Sequence, residues 1–203
     1  MLRKTVNGIN AGILISIGGT VFLACENRYV GAFFFSVALL CICYKGYSLF
    51  TGKVGYLPEK HGKEELSVLF LGLLGNTIAS ALCGILTAYA IPGIRDAAAV
   101  ICNAKLGQQL PQSLIRGIFC GVLMYLAVSI FRDRKTPLAI LFCIPVFILS
   151  GFEHSIADMY YFAAAGIFSL RTLAFIVTVI LGNSIGAILL CALTLFKEGK
   201  RNE

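Results

Sequence analysis

The stretch "SGFEHSIADM" (Ser150–Met159) sets Glu153, His154 and Asp158 between the apolar run "LAILFCIPVFIL" and the apolar "YYFAAAGIF". These side chains accept, donate and store protons, and an unperturbed imidazole titrates at about 6.5. Ionisable groups inside an apolar span are expensive and mark substrate or proton pathways. A second polar interruption, "KGYSLFTGK" (Lys45–Lys53), supplies Lys45 and Thr51. A threonine hydroxyl can donate and accept hydrogen bonds without adding a fixed charge. Other chemistries lack their residues. Glu153-His154 is not HExxH and the only other histidine, His61, lies in a polar stretch, so a His-based zinc site has too few ligands. No GxSxG and no phosphate-cradling glycine loop occurs. Neither a metal, nor a cofactor, nor an enzymatic activity is expected.

The elements that carry these residues follow from composition. The chain has 203 residues, 58% of them hydrophobic and only 13% charged, with a mean hydropathy of +0.87. Too few polar residues exist to cover a soluble surface, so the sequence predicts an all-α integral membrane protein in contact with the bilayer. Hydropathy marks six spans, 8–25, 30–50, 66–91, 114–131, 137–157 and 172–196. No cleavable signal peptide is evident. The eight cysteines sit mostly inside apolar runs and read as small packing residues. The net charge of +7 would suit nucleic acid, but its distribution is a topology signal. Segments 1–7, 51–65, 132–136 and 197–203 hold eleven basic residues against five on the other side, which predicts an inner-membrane protein with both termini cytoplasmic and no nucleic-acid partner.

Spans three and six share a phrase, "LGNTIASALCGIL" from Leu74 and "LGNSIGAILLCAL" from Leu181. Copies three spans apart run in opposite directions, the mark of an inverted repeat. The polar interruptions in spans two and five fall at corresponding places, and interrupted helices in matching halves point to a transport site. Such backbone is tolerated only where protein buries it or where it lines a cavity. The expected architecture is one membrane channel domain over 1–203, six helices in an inverted 3+3 repeat of about 4–91 and 110–196, with broken second and fifth helices.

Several of these phrases together resemble the formate/nitrite transporters, a family that includes hydrosulfide channels. "SGFEHSIADM" is similar to the family's fifth-span motif, with His154 at the central histidine, and "GYSLFTG" to its second-span signature, with Tyr47 at a place usually held by a small residue. "LGN" in spans three and six fits as well. The resemblance implies an aquaporin-like fold, a homopentamer, and one pore per protomer passing small monovalent anions or their conjugate acids. It implies that Phe35, Leu39, Leu49 and Phe147 form apolar constrictions, and that His154 and Thr51 line the chamber between them. Three departures stand out: the family's N-terminal amphipathic helix is missing ahead of Met1, Gly121 replaces a fourth-span asparagine near the pore, and Lys45 lies within span two.

An apolar ring opposes an anion far more than a neutral weak acid such as formic acid, nitrous acid or hydrogen sulfide. His154 is therefore expected as a neutral imidazole that takes a proton, or donates a hydrogen bond, when an anion arrives. Glu153 is expected to accept from backbone N–H groups freed by the break, with Lys45 as a candidate partner; alternatively Lys45 snorkels to a polar surface or reaches the chamber. Asn76 and Asn183 are expected either to line the pore or to pack beside Gly75 and Gly182. Asp158 is expected to be solvated. The rival function is an aquaporin-like channel for neutral solutes such as water, ammonia or hydrogen sulfide.

Overall fold

Long apolar helices dominate the computed structural model, which describes residues 1–199, with side chains through Lys197. Lys200 and Arg201, counted above among the C-terminal basic residues, lie outside the described residues. In chain order the helices are α1 (Leu2–Ala24), α2 (Arg28–Lys45), α3 (Phe50–Lys53), α4 (Lys63–Ala90), α5 (Ile94–Leu106), α6 (Leu110–Arg134), α7 (Leu138–Leu149), α8 (Ser155–Ala165) and α9 (Leu170–Gly199). A 3-10 turn, Val54–Tyr56, follows α3. Among the described residues α1, α2, α4, α6 and α9 are long and apolar enough to cross a bilayer, and α7 is a shorter apolar helix. Large side chains such as Phe70, Phe142 and Leu173 remain exposed along them.

Two helix pairs make the most extensive contacts, α1 with α4 and α6 with α9. Glycines let their backbones meet. A Cβ on Gly12 would stand 2.8 Å from Asn76 O, and one on Gly182 would stand 2.6 Å from Leu114 O. Between membrane helices such small-residue contacts supply packing that apolar lipid cannot displace. The centre of the molecule is α8, buried from Ser155 to Ala164 and packed against α1, α4, α5 and α9. Its Tyr160 hydroxyl meets Thr20 Oγ1 at 2.7 Å and Thr87 Oγ1 at 3.0 Å, so that buried polar group is satisfied.

The spans expected over 30–50 and 137–157 do not run as continuous helices. Each stops at a glycine with positive φ, Gly46 at 68° and Gly151 at 71°. The stops share one pattern. Gly46 N–H donates to Cys43 O and Tyr47 N–H to Ile42 O, while Gly151 N–H donates to Ile148 O and Phe152 N–H to Phe147 O. This is the left-handed C-terminal turn for which glycine carries no Cβ penalty.

One element differs from the sequence expectation. The segment between the third and fourth expected spans, for which no helix is expected from sequence, contains the 13-residue α5. It is too short and too polar for a span, yet it carries Asp96 in its first turn and Lys105 in its last, as the helix dipole favours.

Candidate functional site

Each stop leaves a short stretch of backbone buried inside apolar protein, and an asparagine from the next long helix satisfies it. Asn76 on α4 accepts from Phe50 N–H at 2.9 Å through Oδ1, and its Nδ2 donates to Ser48 O at 3.0 Å and Gly8 O at 2.7 Å. Asn183 on α9 accepts from Ser155 N–H at 3.0 Å, and its Nδ2 donates to Glu153 O at 2.8 Å and Gly117 O at 2.9 Å. Both side chains are completely buried. An amide suits this work because it offers donors and an acceptor without a charge to desolvate. The two asparagines therefore tie down the interruptions beside the glycine crossings.

This pattern corrects the expectation for Glu153. Asn183, not the Glu153 carboxylate, accepts from the freed backbone N–H at the start of α8.

The interruptions bring Thr51 and His154 together, with Thr51 Oγ1 2.8 Å from His154 Nε2. His154 stands immediately before α8, and its Nδ1 accepts from Ala157 N–H at 3.2 Å, capping that helix. A neutral ring whose Nδ1 accepts carries its proton on Nε2, so Nε2–H donates to Thr51 Oγ1. Apolar side chains flank the pair. The Phe147 ring stacks on the imidazole with centroids 5.7 Å apart, and Phe35 meets Phe147 edge-on at 6.3 Å. Phe35, Leu39, Leu49 and Phe147 are all buried.

Two cavities approach this core. One, of about 490 Å³, is lined by Leu39 and Leu49 together with Lys53, Lys60, Arg132 and Glu59. The other, of about 410 Å³, is lined by Phe35, Phe147 and His154 together with Arg28, Lys105 and Arg116. The expected constriction residues are thus divided between the two cavities, two to each.

Residues 1–197 match the family described as Formate/nitrite transporter. The chain belongs to that family. It is a multi-pass membrane protein, with the apolar helices that such a transporter requires. Among curated relatives it is similar to "Uncharacterized transporter YwcJ" of Bacillus subtilis, 29% identical over 186 residues that cover 80% of this chain and 73% of the relative. It is also similar to "Nitrite transporter NirC" of Salmonella typhimurium, 27% identical over 170 residues, covering 77% of this chain and 62% of that protein. Among solved structures, an "FNT family ion channel" superposes with a TM-score of 0.87 at 22% identity, covering 97% of this chain and 90% of that one. A "Pentameric formate channel with formate bound" gives 0.77 at 21% identity, covering 96% of each chain. These similarities establish the fold of a formate/nitrite transporter.

In this formate/nitrite transporter the charged residues are arranged differently from the sequence expectation. Lys105 of α5 pairs with both Glu153 and Asp158. Lys45 instead lies exposed at the last turn of α2, and Glu153 takes no ion pair from it. Asp158, expected to be solvated, is buried and holds Lys105 at 2.8 Å. Gln108, for which the sequence suggests no role, donates to Glu153 Oε1 at 2.9 Å. Gly121 faces the backbone of Asn183 across the α6–α9 crossing. Its lack of a side chain serves helix contact there.

Proposed function

We propose that this protein is a channel for small monovalent anions of weak acids, of the formate, nitrite or hydrosulfide class, with passage assisted by protons. The observation that carries this reading is the Thr51–His154 hydrogen bond, buried among Phe35, Leu39, Leu49 and Phe147 where two cavities approach each other. On one side Lys53, Lys60, Arg132 and Lys135 outnumber Glu59, Glu64 and Glu65. On the other Arg28 and Arg116, which form no ion pair among the described residues, favour anions at the cavity. At the centre an anion meets an imidazole N–H and a hydroxyl, both neutral donors, inside an apolar ring. Neutral donors orient an anion without trapping it. The ring opposes the ion and admits its conjugate acid, so acidification raises the fraction that crosses.

The architecture proposed with this function has six spans, α2–α3 and α7–α8 each forming one interrupted span. The halves at about 4–91 and 110–196 form an inverted repeat. The corresponding roles of Asn76 and Asn183, and of Gly46 and Gly151, support that repeat. A homopentamer with one pore per protomer is proposed by analogy with the pentameric formate channel of similar fold. Eleven basic residues against five favour cytoplasmic termini.

The test is flux in proteoliposomes challenged with formate, nitrite and hydrosulfide at about pH 5.5 and 7.5, a range that spans imidazole titration. At least one of these solutes should cross, and faster at the lower pH. Passage of water or ammonia with none of the three would replace the anion channel by a neutral-solute pore.

A further inference from the structure

His154 and Asp158 line the same cavity, and their hydrogen bonds assign them different duties. The Nδ1 of His154 is occupied by Ala157 N–H, so a second proton on the ring would break the cap of α8. The imidazole is thus built to donate the hydrogen bond it already has. A proton transferred to an anion needs another source on this cavity.

One ammonium faces two carboxyls there. Lys105 Nζ donates to Glu153 Oε2 and to Asp158 Oδ1. The side chains of Glu153, Asp158 and Lys105 are 2%, 1% and 12% exposed. Glu153 is complete, because Gln108 Nε2 occupies its Oε1. Asp158 is not: its Oδ2 is buried and has no partner among the described residues. With both carboxyls ionised, one buried negative charge would remain without a counter-ion, an arrangement that low-dielectric surroundings penalise heavily.

The neighbouring elements supply no second paired cation. Nearby ionisable groups are Tyr161 on α8, Cys102 on α5, and Cys120 and Arg116 on α6. Arg28, in the first turn of α2, lines the same cavity but is exposed and unpaired among the described residues. Arg95 and Asp96, at the far end of α5, are exposed as well. Arg116 is directed toward Gly151 and forms no ion pair among the described residues. The charged residues of α1 and α4 lie in the first turns of those helices, where Lys4 pairs with Glu64. Of the remaining titratable groups on α4, Cys83 lies by Ser16 of α1, and Tyr89 is exposed. On α9, Arg171 is engaged with Leu106 O.

We propose that Glu153 and Asp158 hold one proton between them at neutral pH, carried on Asp158 Oδ2, and that this carboxyl supplies the proton an entering weak-acid anion takes up. The second half rests on the anion-channel reading; the first half does not. In the transfer, the Asp158 O–H bond breaks as an O–H or S–H bond forms on the anion, and the neutral acid moves on past Phe35 and Phe147. The aspartate left behind remains on Lys105 and regains its proton from a hydronium ion of the bulk solvent arriving through the cavity, which leaves water.

Infrared spectra of the protein in bilayers at neutral pH test the proton directly. The wild type should show the carbonyl stretch of a protonated carboxyl, shifted in heavy water, and Asp158→Asn should lack it. A wild-type spectrum without that band overturns the proposal, as does a band that survives Asp158→Asn and vanishes in Glu153→Gln. This readout needs no transport, so it stands even where flux refutes the anion channel. In flux, Asp158→Asn should flatten the rise on acidification to less than twofold, while His154→Asn lowers the rate and keeps the slope. The reverse pattern would return the proton to His154.

Discussion

At Gly46 and at Gly151 the chain turns with the same pair of hydrogen bonds, and Asn76 and Asn183 then secure the interrupted backbone with matching contacts. Beyond that point the regions diverge. The first turn leads to Leu49 and a four-residue helix; the second leads to His154 and an eleven-residue helix. Leu49 offers no side-chain cap to α3, whereas His154 caps α8 and still reaches Thr51. Only the second region has α5 beside it, with Lys105 set against two carboxyls. The lesson is that a matched frame constrains backbone geometry and leaves chemistry free to differ. Once an amide from elsewhere bears the cost of the interruption, the residue at the break can be apolar in one region and a hydrogen-bond donor in the other.

The largest expected effect tests whether the frames are equivalent. Asn183→Ala and Asn76→Ala each remove three buried hydrogen bonds, and orphaned buried groups cost about 1–3 kcal/mol apiece. Both variants should lose most of their folded yield and thermal stability in detergent, by similar amounts. Tolerance of one alone would end the equivalence.

Next comes the divergence itself. Leu49→Ala should cost about 2–4 kcal/mol through the cavity it opens in buried packing. His154→Asn keeps a good capping residue but loses the Thr51 bond and the ring against Phe147. It should cost about 1–3 kcal/mol in thermal unfolding and lower anion flux about tenfold, the equivalent of 1.4 kcal/mol on the barrier. Thr51→Val removes one hydrogen bond, for about 0.5–1.5 kcal/mol of stability and a smaller fall in flux than His154→Asn. Lys45→Met, at an exposed position, should leave melting within about 0.5 kcal/mol and flux unchanged. A clear loss of flux there would give the first region a charge of its own to set against Lys105.

The glycine stops and the Gly-Asn pairs are legible in the sequence because each is a local phrase, and the phrases repeat. Position in those phrases also carries Thr51 and His154 to neighbouring places, although nothing local measures the distance between them. The Lys105 cluster is not legible. Lys105 precedes Glu153 by 48 residues, and its helix is hidden from a hydropathy window by Arg95, Asp96 and a run of alanines. Cap signals are nevertheless present: Gly93 before the helix, Asp96 in its first turn, Lys105 in its last and Gly107 after it. Asp158 reads as solvated from sequence because distance from a presumed span end stands in for burial. Its environment depends on α1, α4, α5 and α9 closing around α8, which no pattern along α8 reveals.

The securing asparagines also impose an order of events on biosynthesis. Asn76 comes 26 residues after Phe50, and Asn183 comes 28 after Ser155. A ribosome adding about 5–20 residues per second therefore leaves each newly made break without its amide on the order of seconds. Through that interval the bared peptide groups must be sheltered by water, by lipid headgroups or by the insertion machinery. Chains truncated just before Asn76 or Asn183 and released into the membrane should consequently be cleaved by proteases at the break, and the full chain should not.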